Sequence, residues 1–539
     1  MKSKLLLVLL FISTFSSAQW NSNPLFTGLF HSQLAPNEVT TCVDDSGNIF
    51  LASFHATGGD IRIQKFDSSG NLLWGFQGVL LNSNNNIQRL PAMVPDNSGG
   101  CYVAYINDAN PLGPYIQHLN YSGTAQFPGY GVRIVTTTGL LWENLQLVRD
   151  AQHLFCTMTL EKPSTVNQVY AQKLDLALNP VWDSAGVNVA LPNVEYENRA
   201  CLTDGNGGIY VLYSRYFSTF NQYLQIQHLN QNGIKQWNTV PELNTGKPVG
   251  NGKQVFKKYT QNELYICWDG GGNSLNTGIY LSKIGSNGIK VWGASPITVI
   301  DTTDLQDRPD MDVDSAGNTY VAWRDRKLVN AHQCYAQMIL PNGSIAWSQP
   351  AGIDTGYQTN YIFPKLICEE DGLHVFWTQY NTNYEIRTTV IDTAGNELCN
   401  PGGIGIVPPG YLNIIDPNIL SMPQGGYAIV STDVNSFTSL YIHYTNSNCI
   451  VPVNIEEHSN ETAFMIYPNP SAGIVNIKRT SPTPVQSQIL TITDQQGRII
   501  KQVEMGPLTN EIRINTEEIP NGLYFIQCGA QIEKWMNVQ

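Results

Sequence analysis

The segment Asp67-Ser-Ser-Gly70-Asn-Leu-Leu-Trp74 sets a tight turn four residues ahead of a tryptophan. The pattern returns at Gly123/Phe127, Leu178/Trp182, Gly233/Trp237, Gly288/Trp292, Gly343/Trp347 and Gly395/Cys399, with a faint echo at Asn448. Its first members are separated by 53, 55, 55, 55, 55, 52 and 53 residues. A period of this size marks one supersecondary unit repeated, each copy burying its apolar faces only against its neighbours. A second anchor, Asp45-Ser-Gly47-Asn48-Ile-Phe50, keeps the same beat, with counterparts ending at Tyr102, Phe155, Tyr210, Tyr265, Tyr320, His374 and Tyr427. Two anchors with one period predict eight repeats.

Each repeat reads as four strands, A to D. In the first, Thr40–Val43 is strand A, Ile49–Phe54 strand B, Ile61–Phe66 strand C and Leu72–Leu81 strand D. Alternation of apolar and polar residues supports the strands, and Asp, Asn and Gly at the A–B turn supply the backbone a hairpin needs. The run Asp312-Val-Asp314-Ser-Ala-Gly317 has the look of a calcium loop, but its copies lack the remaining ligands, so it reads as a hairpin turn. Four antiparallel strands repeated in this way, with each sheet packed radially on the next, predict an all-β fold with an eight-bladed β-propeller. A linear solenoid is the alternative.

The turn-plus-tryptophan element resembles the tryptophan-docking motif of the eight-bladed quinoprotein and PQQ-like propellers. The Gly-x-x-x-Trp spacing of that family is kept at Gly70/Trp74, Gly233/Trp237, Gly288/Trp292 and Gly343/Trp347, although the Asp-to-Gly spacing is one residue shorter. The resemblance implies that each ring stacks on the backbone of an adjoining blade. It does not extend to cofactor chemistry: quinoprotein dehydrogenases carry a vicinal cysteine pair, and no two cysteines are adjacent here, so no cofactor is expected. The sialidase Asp-box places Asp two residues before Gly, whereas Asp67 is three before Gly70. Trp74, Trp182, Trp237, Trp292 and Trp347 are therefore expected to be structural and largely buried. Trp20, one period ahead of Trp74, reads as the start of an outer strand that closes the last blade from the N-terminal end.

Charged residues make up 14% of the chain against a usual ~25%, and the net charge is −13. No basic run suggests a nucleic-acid partner. Ten cysteines lie mostly within strands, without metal-binding spacing, and are expected to be buried small hydrophobes; Cys399 and Cys449 are the pair to examine for a disulfide. No metal site, HExxH or Ser/His/Asp signature is present in the sequence. His118, His228 and His443 share their repeat phase with Lys65, Lys173 and Lys283, which predicts an exposed position on strand C.

Residues 1–18 read as a secretory signal. Lys2 and Lys4 precede the apolar run Leu5–Ile12, and Ser16-Ser-Ala18 suits cleavage before Gln19. The run is too short to span a bilayer, and no transmembrane segment is expected elsewhere.

The period is expected to fill residues 19–454 and to stop at a polar linker, 455–463. Beyond it stand Tyr467-Pro468-Asn469-Pro470-Ser-Ala-Gly473, then Asp494-Gln-Gln-Gly497, Gly522-Leu-Tyr524 and a last strand through Lys534. This tail, 464–539, resembles the type A C-terminal sorting domain of the type IX (Por) secretion system of Bacteroidetes. The resemblance implies a seven-stranded immunoglobulin-like β-sandwich that the type IX translocon recognises. It also implies a sortase-like protease that attaches the cargo to surface lipopolysaccharide, giving a secreted or outer-membrane-anchored protein.

For the repeat region, the connections between strands B and C vary in sequence, and variable loops on a rigid scaffold are where function usually sits. On the same face the starts of strand A carry Arg89, Arg199, Arg308, Asp310, Lys365 and Asp416. These predict a mixed-charge channel mouth for a glycan, peptide or protein ligand; the plainer expectation is that the charges pair with each other. The sequence thus points to a secreted binding module with an unknown extracellular ligand. A polysaccharide hydrolase or lyase and a structural adhesin are the alternatives, and an arginine cluster or a close carboxylate pair at the mouth would favour an active site.

Overall fold

The computed structural model describes residues 39–445 and 464–537, apart from short stretches of which the longest are 406–416 and 480–487. All regular structure in it is β. The chain divides into two compact units, Met1–Pro452 and Val453–Gln539. No helix among the described residues is long and apolar enough to cross a membrane.

In the first unit each repeat forms an antiparallel sheet with its strands in chain order. The first sheet comprises Val39–Val43, Ile49–His55, Asp60–Phe66 and Val79–Leu80. The second, third, sixth and seventh sheets have the same four strands, and three are described in the eighth. The fourth and fifth repeats join through one pairing, Gln222 with Val249, into a seven-stranded sheet. Strands A to C fall where the pattern places them. Strand D differs: the chain makes a single bridge at Leu72, leaves the sheet, and returns only for Val79–Leu80. The excursion frees Trp74 to reach the next sheet.

Successive sheets share apolar cores. Phe50, Ile61 and Ile63 of the first pack with Met93, Val103 and Tyr105 of the second. Similar clusters join second to third, third to fourth, and onward to the seventh. Tyr427 of the eighth sheet stacks edge-on against Phe376 of the seventh, with ring centroids 4.9 Å apart. Met422, Ala428 and Val430 of the eighth pack with Ile49, Leu51 and Phe66 of the first. The series of sheet-to-sheet contacts thus returns to its starting point. Trp20 and the proposed closing strand lie outside the described residues, as do Cys449 and the 455–463 linker.

The tryptophans join one repeat to the next. Each indole N–H donates to a backbone carbonyl in the following repeat's C–D turn: Trp74 to Tyr121 (3.0 Å), Trp182 to Gln231 (2.9 Å), Trp237 to Ser286 (3.1 Å), Trp292 to Pro341 (2.9 Å) and Trp347 to Thr393 (3.0 Å). The ring lies on the turn glycine; at Gly288, with φ +80°, a Cβ would stand 2.7 Å from the Trp237 ring. Trp74, Trp182, Trp237 and Trp347 are buried, as expected, whereas Trp292 is only half-buried.

A second repeated device has no counterpart in the sequence reading. Buried Gln64, Gln117, Gln172, Gln227 and Gln337 each donate a side-chain N–H to a carbonyl of the segment leaving strand C. Gln227 also accepts from the Trp237 amide at 3.1 Å, so one side chain replaces the ladder bonds that strand D gives up.

The strand C cations are not exposed, which corrects the expectation. Lys65, Lys173 and Lys283 are buried. Lys65 and Lys173 donate to the carbonyls of Gly99 and Gly207 in the next repeat, and each ammonium sits 5.5 Å from a phenyl ring, of Phe50 and Phe155. His118 and His228 stack on Tyr102 and Tyr210 and pair with Asp96 and Asp204 of the A–B turns at 2.8 and 2.9 Å. The phase is shared because the position ties turn to sheet. The A–B turns are hairpin turns: Asp314 accepts the backbone N–H groups of Ala316 and Asn318, both at 2.9 Å, and the Asn318 side chain.

The second unit has two antiparallel sheets, of three and four strands, around a core that includes Val475, Ile492, Tyr524 and Trp535. Its opening motif is tied to its last strand, where the Trp535 indole donates to Ser471 Oγ at 2.7 Å and Ser471 bridges Asn537. Gly473 takes φ +77°. Tyr467 is exposed and donates to Glu511 at 2.8 Å. Asp494 turns the next hairpin by accepting the Arg498 backbone N–H at 2.9 Å. Tyr524 is buried with its hydroxyl on the Pro520 carbonyl, next to Gly522 at the start of its strand, and Lys534 lies in the last strand. Pro468, Asn469, Pro470 and Gly497 lie outside the described residues.

Candidate functional site

Strand A is regular where it leads into the A–B turn and irregular where it starts. In the second to sixth repeats a register shift interrupts its pairing, and in the second, third and sixth Leu90, Asn144 and Arg308 take φ values of 55°, 50° and 56°. A bulge re-aims the side chains beside it, at a cost in backbone strain for a residue other than glycine. Two of the variable B–C connections are short. Ser214–Gln222 and Arg324–Gln333 are largely the paired ends of strands Ile209–Ser218, Asn221–Leu229, Thr319–Leu328 and Ala331–Ile339. Those strand ends bring further charged residues beside the bulges.

Contacts sort the expected mouth residues into two groups. Arg89 pairs with Asp108 at 3.4 Å. It also faces Glu143 of the third repeat, whose carboxyl is raised from its ordinary value by burial and by a hydrogen bond and like charge from Glu161. Glu197 accepts from Asn144 at 2.9 Å and from the Tyr216 hydroxyl, and pairs with Arg199 at 3.0 Å. Arg199 reaches Ser214 Oγ, the Tyr216 hydroxyl and Gln222 at 2.8, 3.1 and 2.9 Å. Burial first, then the bond to Glu197, pushes the Tyr216 phenol up to about 12, so it stays protonated at neutral pH.

The second group surrounds the bulge of the sixth repeat. Arg324 holds Asp307 through both oxygens at 2.6 and 2.7 Å, and Arg326 adds a third bond to the same carboxylate at 2.5 Å. Arg308 is exposed, with its guanidinium 4.9 Å from the centre of the buried Phe363 ring, and Arg324 lies 5.6 Å from that centre. Among the described residues the Arg308 side chain makes no ion pair. Burial and the charges of Arg324 and Arg308 lower the Arg326 pKa, although Asp307 opposes this. Asp310 pairs with Lys253 at 3.6 Å and accepts the Leu366 N–H at 2.8 Å, next to Lys365. Buried Asp269 accepts the Arg308 backbone N–H at 3.2 Å, and desolvation pushes its carboxyl up to about 6. Asp416 lies outside the described residues.

Arg89, Arg199, Arg308 and Asp310 follow from the sequence, whereas the groups they meet do not. Tyr216, Arg324 and Arg326 lie toward the end of strand B, Glu197 and Asp307 lie in strand A beside the register shifts, and Phe363 lies just ahead of a strand A. Arg324-Asp-Arg326, two like charges alternating on a strand that is otherwise apolar, was the signal. Seven described cysteines are free, and five of these are buried. Cys399 is disulfide-bonded. Among the described residues no group of three His, Cys, Asp or Glu side chains is placed to hold a metal ion.

Residues 465–537 match the secretion system C-terminal sorting domain, which marks the chain as a type IX-sorted secreted protein. No curated protein matches the sequence. Among solved structures, the chain resembles an ulvan lyase of polysaccharide lyase family PL25 at 10% identity and TM-score 0.41, covering 65% of this chain and 89% of that one. It also resembles a puromycin-hydrolysing peptidase of Mycobacterium tuberculosis at 10% identity and TM-score 0.41, covering 75% and 60%. An endo-arabinase from Bacteroides thetaiotaomicron follows at 12% identity and TM-score 0.29, covering 50% and 93%. At such low scores and identities these likenesses identify no activity for this chain.

Proposed function

We propose that the chain is an eight-bladed β-propeller, residues 19–454, carried out of the cell by an immunoglobulin-like sorting sandwich, 464–539, and that the propeller works there as a binding module. Signal peptide 1–18 delivers it to the periplasm, the type IX translocon exports it, and a sortase-like protease anchors it at the cell surface. The return of the sheet contacts from the eighth sheet to the first supports a closed ring. One observation carries the binding reading. The regular positions of the repeat are consumed by packing and turn bonding, whereas charged and aromatic side chains collect where strand A is bulged.

Glycan and peptide arrays probed with the full chain test this reading, and capture of no ligand class overturns it. Deleting 464–539 should leave a folded propeller in the periplasm; a truncated protein that still reaches the surface of the native host refutes the sorting role. A second reading, a polysaccharide hydrolase or lyase, is favoured by the Glu143–Glu161 pair and the Tyr216–Glu197–Arg199 set. New reducing or unsaturated ends released from polysaccharides, and lost in Tyr216→Phe, would establish it.

A further inference from the structure

The sixth-repeat cluster has more cationic groups than its own carboxylates satisfy. Asp307 already accepts two bonds from Arg324 and one from Arg326. Arg326 Nε is buried without a hydrogen-bond partner, while the rest of its side chain is 36% exposed. Arg308 is exposed and supported from beneath by Phe363, which orders the guanidinium plane without engaging its N–H donors. A left-handed residue recurs at this point of strand A in three repeats, so the backbone there is architectural, and only in the sixth is that residue a cation. This excess sits in a chain of net charge −13, so it is local and does not reflect a generally basic surface.

We infer that Arg308, Arg324 and Arg326 form a recognition site for the anionic group of an acidic polysaccharide, either a uronate carboxylate or a sulfate ester. The inference rests on the binding reading above and names its ligand class. Planar guanidinia with paired N–H donors match two oxygens of a carboxylate or sulfate. Arg324, pinned by Asp307, forms the floor, and Arg308 and Arg326 supply the free donors. Asp307 and Asp310 flank them, and carboxylates beside a cation site accept hydroxyl donors. Sugar rings carry such donors next to their charge. A continuous phosphate backbone would meet the two carboxylates with like charge instead.

The test uses the full chain and titration calorimetry with polygalacturonate, dextran sulfate, unsulfated dextran and polyglutamate. Arg308→Asn keeps a residue that tolerates the left-handed backbone, and Arg326→Gln keeps length without charge. Unchanged circular dichroism shows that both variants fold. The expected result is binding of polygalacturonate or dextran sulfate but not dextran, with affinity falling at least tenfold in the double variant. Which polymer binds identifies the group as carboxylate or sulfate. Arg498→Gln, in the other unit, should leave affinity unchanged, and an equal loss there would mean unspecific attraction. Equal binding by wild type and double variant overturns the inference, as does polyglutamate binding as tightly as the glycans. If neither acidic glycan binds while an array captures another ligand, the inference falls and the binding reading stands. If nothing is captured, both fall.

Discussion

Replacing Trp237 tests whether the tryptophans hold neighbouring repeats together. The ring is 7% exposed and packs among Tyr210, Leu224, Leu243 and Phe256. A buried tryptophan removes roughly 150–250 Å² from water, and truncation to alanine in a packed core costs about 3–5 kcal/mol. Trp237→Phe keeps much of that area but leaves the Ser286 carbonyl without its donor, a loss of about 1 kcal/mol. Trp292 makes the same bond from a half-buried position, so Trp292→Ala should cost clearly less than Trp237→Ala. Gly288→Ala should also destabilise, because φ is +80° and the new Cβ would stand 2.7 Å from the Trp237 ring. In the Trp237→Ala background that collision is gone and only the backbone strain, about 1 kcal/mol, remains. Guanidinium unfolding followed by far-ultraviolet circular dichroism reads these differences, and a double-mutant cycle isolates the coupling. Equal, small midpoint shifts for Trp237→Ala and Trp292→Ala, or strict additivity of Gly288→Ala with Trp237→Ala, would refute the docking account.

Asp269 gives a pH signature. Its folded pKa, about 6, lies above that of an unfolded aspartate, so the native state binds more protons between the two values and stability falls as pH rises through that window. Melting temperatures across it should fall less steeply in Asp269→Asn, and an unchanged slope rejects the assignment. Gln227→Ala leaves both the Trp237 amide and its carbonyl unpaired in a buried site and should cost about 2–4 kcal/mol by the same unfolding assay, whereas a cost near zero would mean strand D needs no clamp. Trp20 precedes Trp74 by one period, so Trp20→Ala should destabilise the repeat unit as a docking tryptophan does; melting indistinguishable from wild type removes Trp20 from the ring.

Strands A to C and their turns were legible because hairpin chemistry and two-residue alternation are local signals. Strand D was misread because Leu72 and Trp74 look like a strand, while the side chain that draws them off the sheet, Gln64, lies in strand C. The strand C cations were misread for a related reason. A lysine at a fixed phase suggests solvent unless one knows that a neighbouring turn presents a carbonyl, as Gly99 does to Lys65. Arg89, Arg199, Arg308, Asp310 and Lys365 were found from their phase at the start of strand A. Their partners were not, since bulges shift register by an amount that no alternation pattern reports.

That failure of register bears on where a ligand can act. A repeat protein reuses the same contacts at each interface, so a position bonded alike in most copies has little freedom to recognise anything. The turn glycines, the docking tryptophans, the strand C glutamines and the cations over aromatic rings are all committed in this way. What is not repeated is the start of strand A and the end of strand B, where the second to sixth repeats each depart from the ladder differently. The same left-handed position is taken by leucine in the second repeat, asparagine in the third and arginine in the sixth. A geometry kept while its residue changes separates scaffold from specificity, and the proposed ligand site is placed in the sixth repeat for that reason, where arginine meets Phe363.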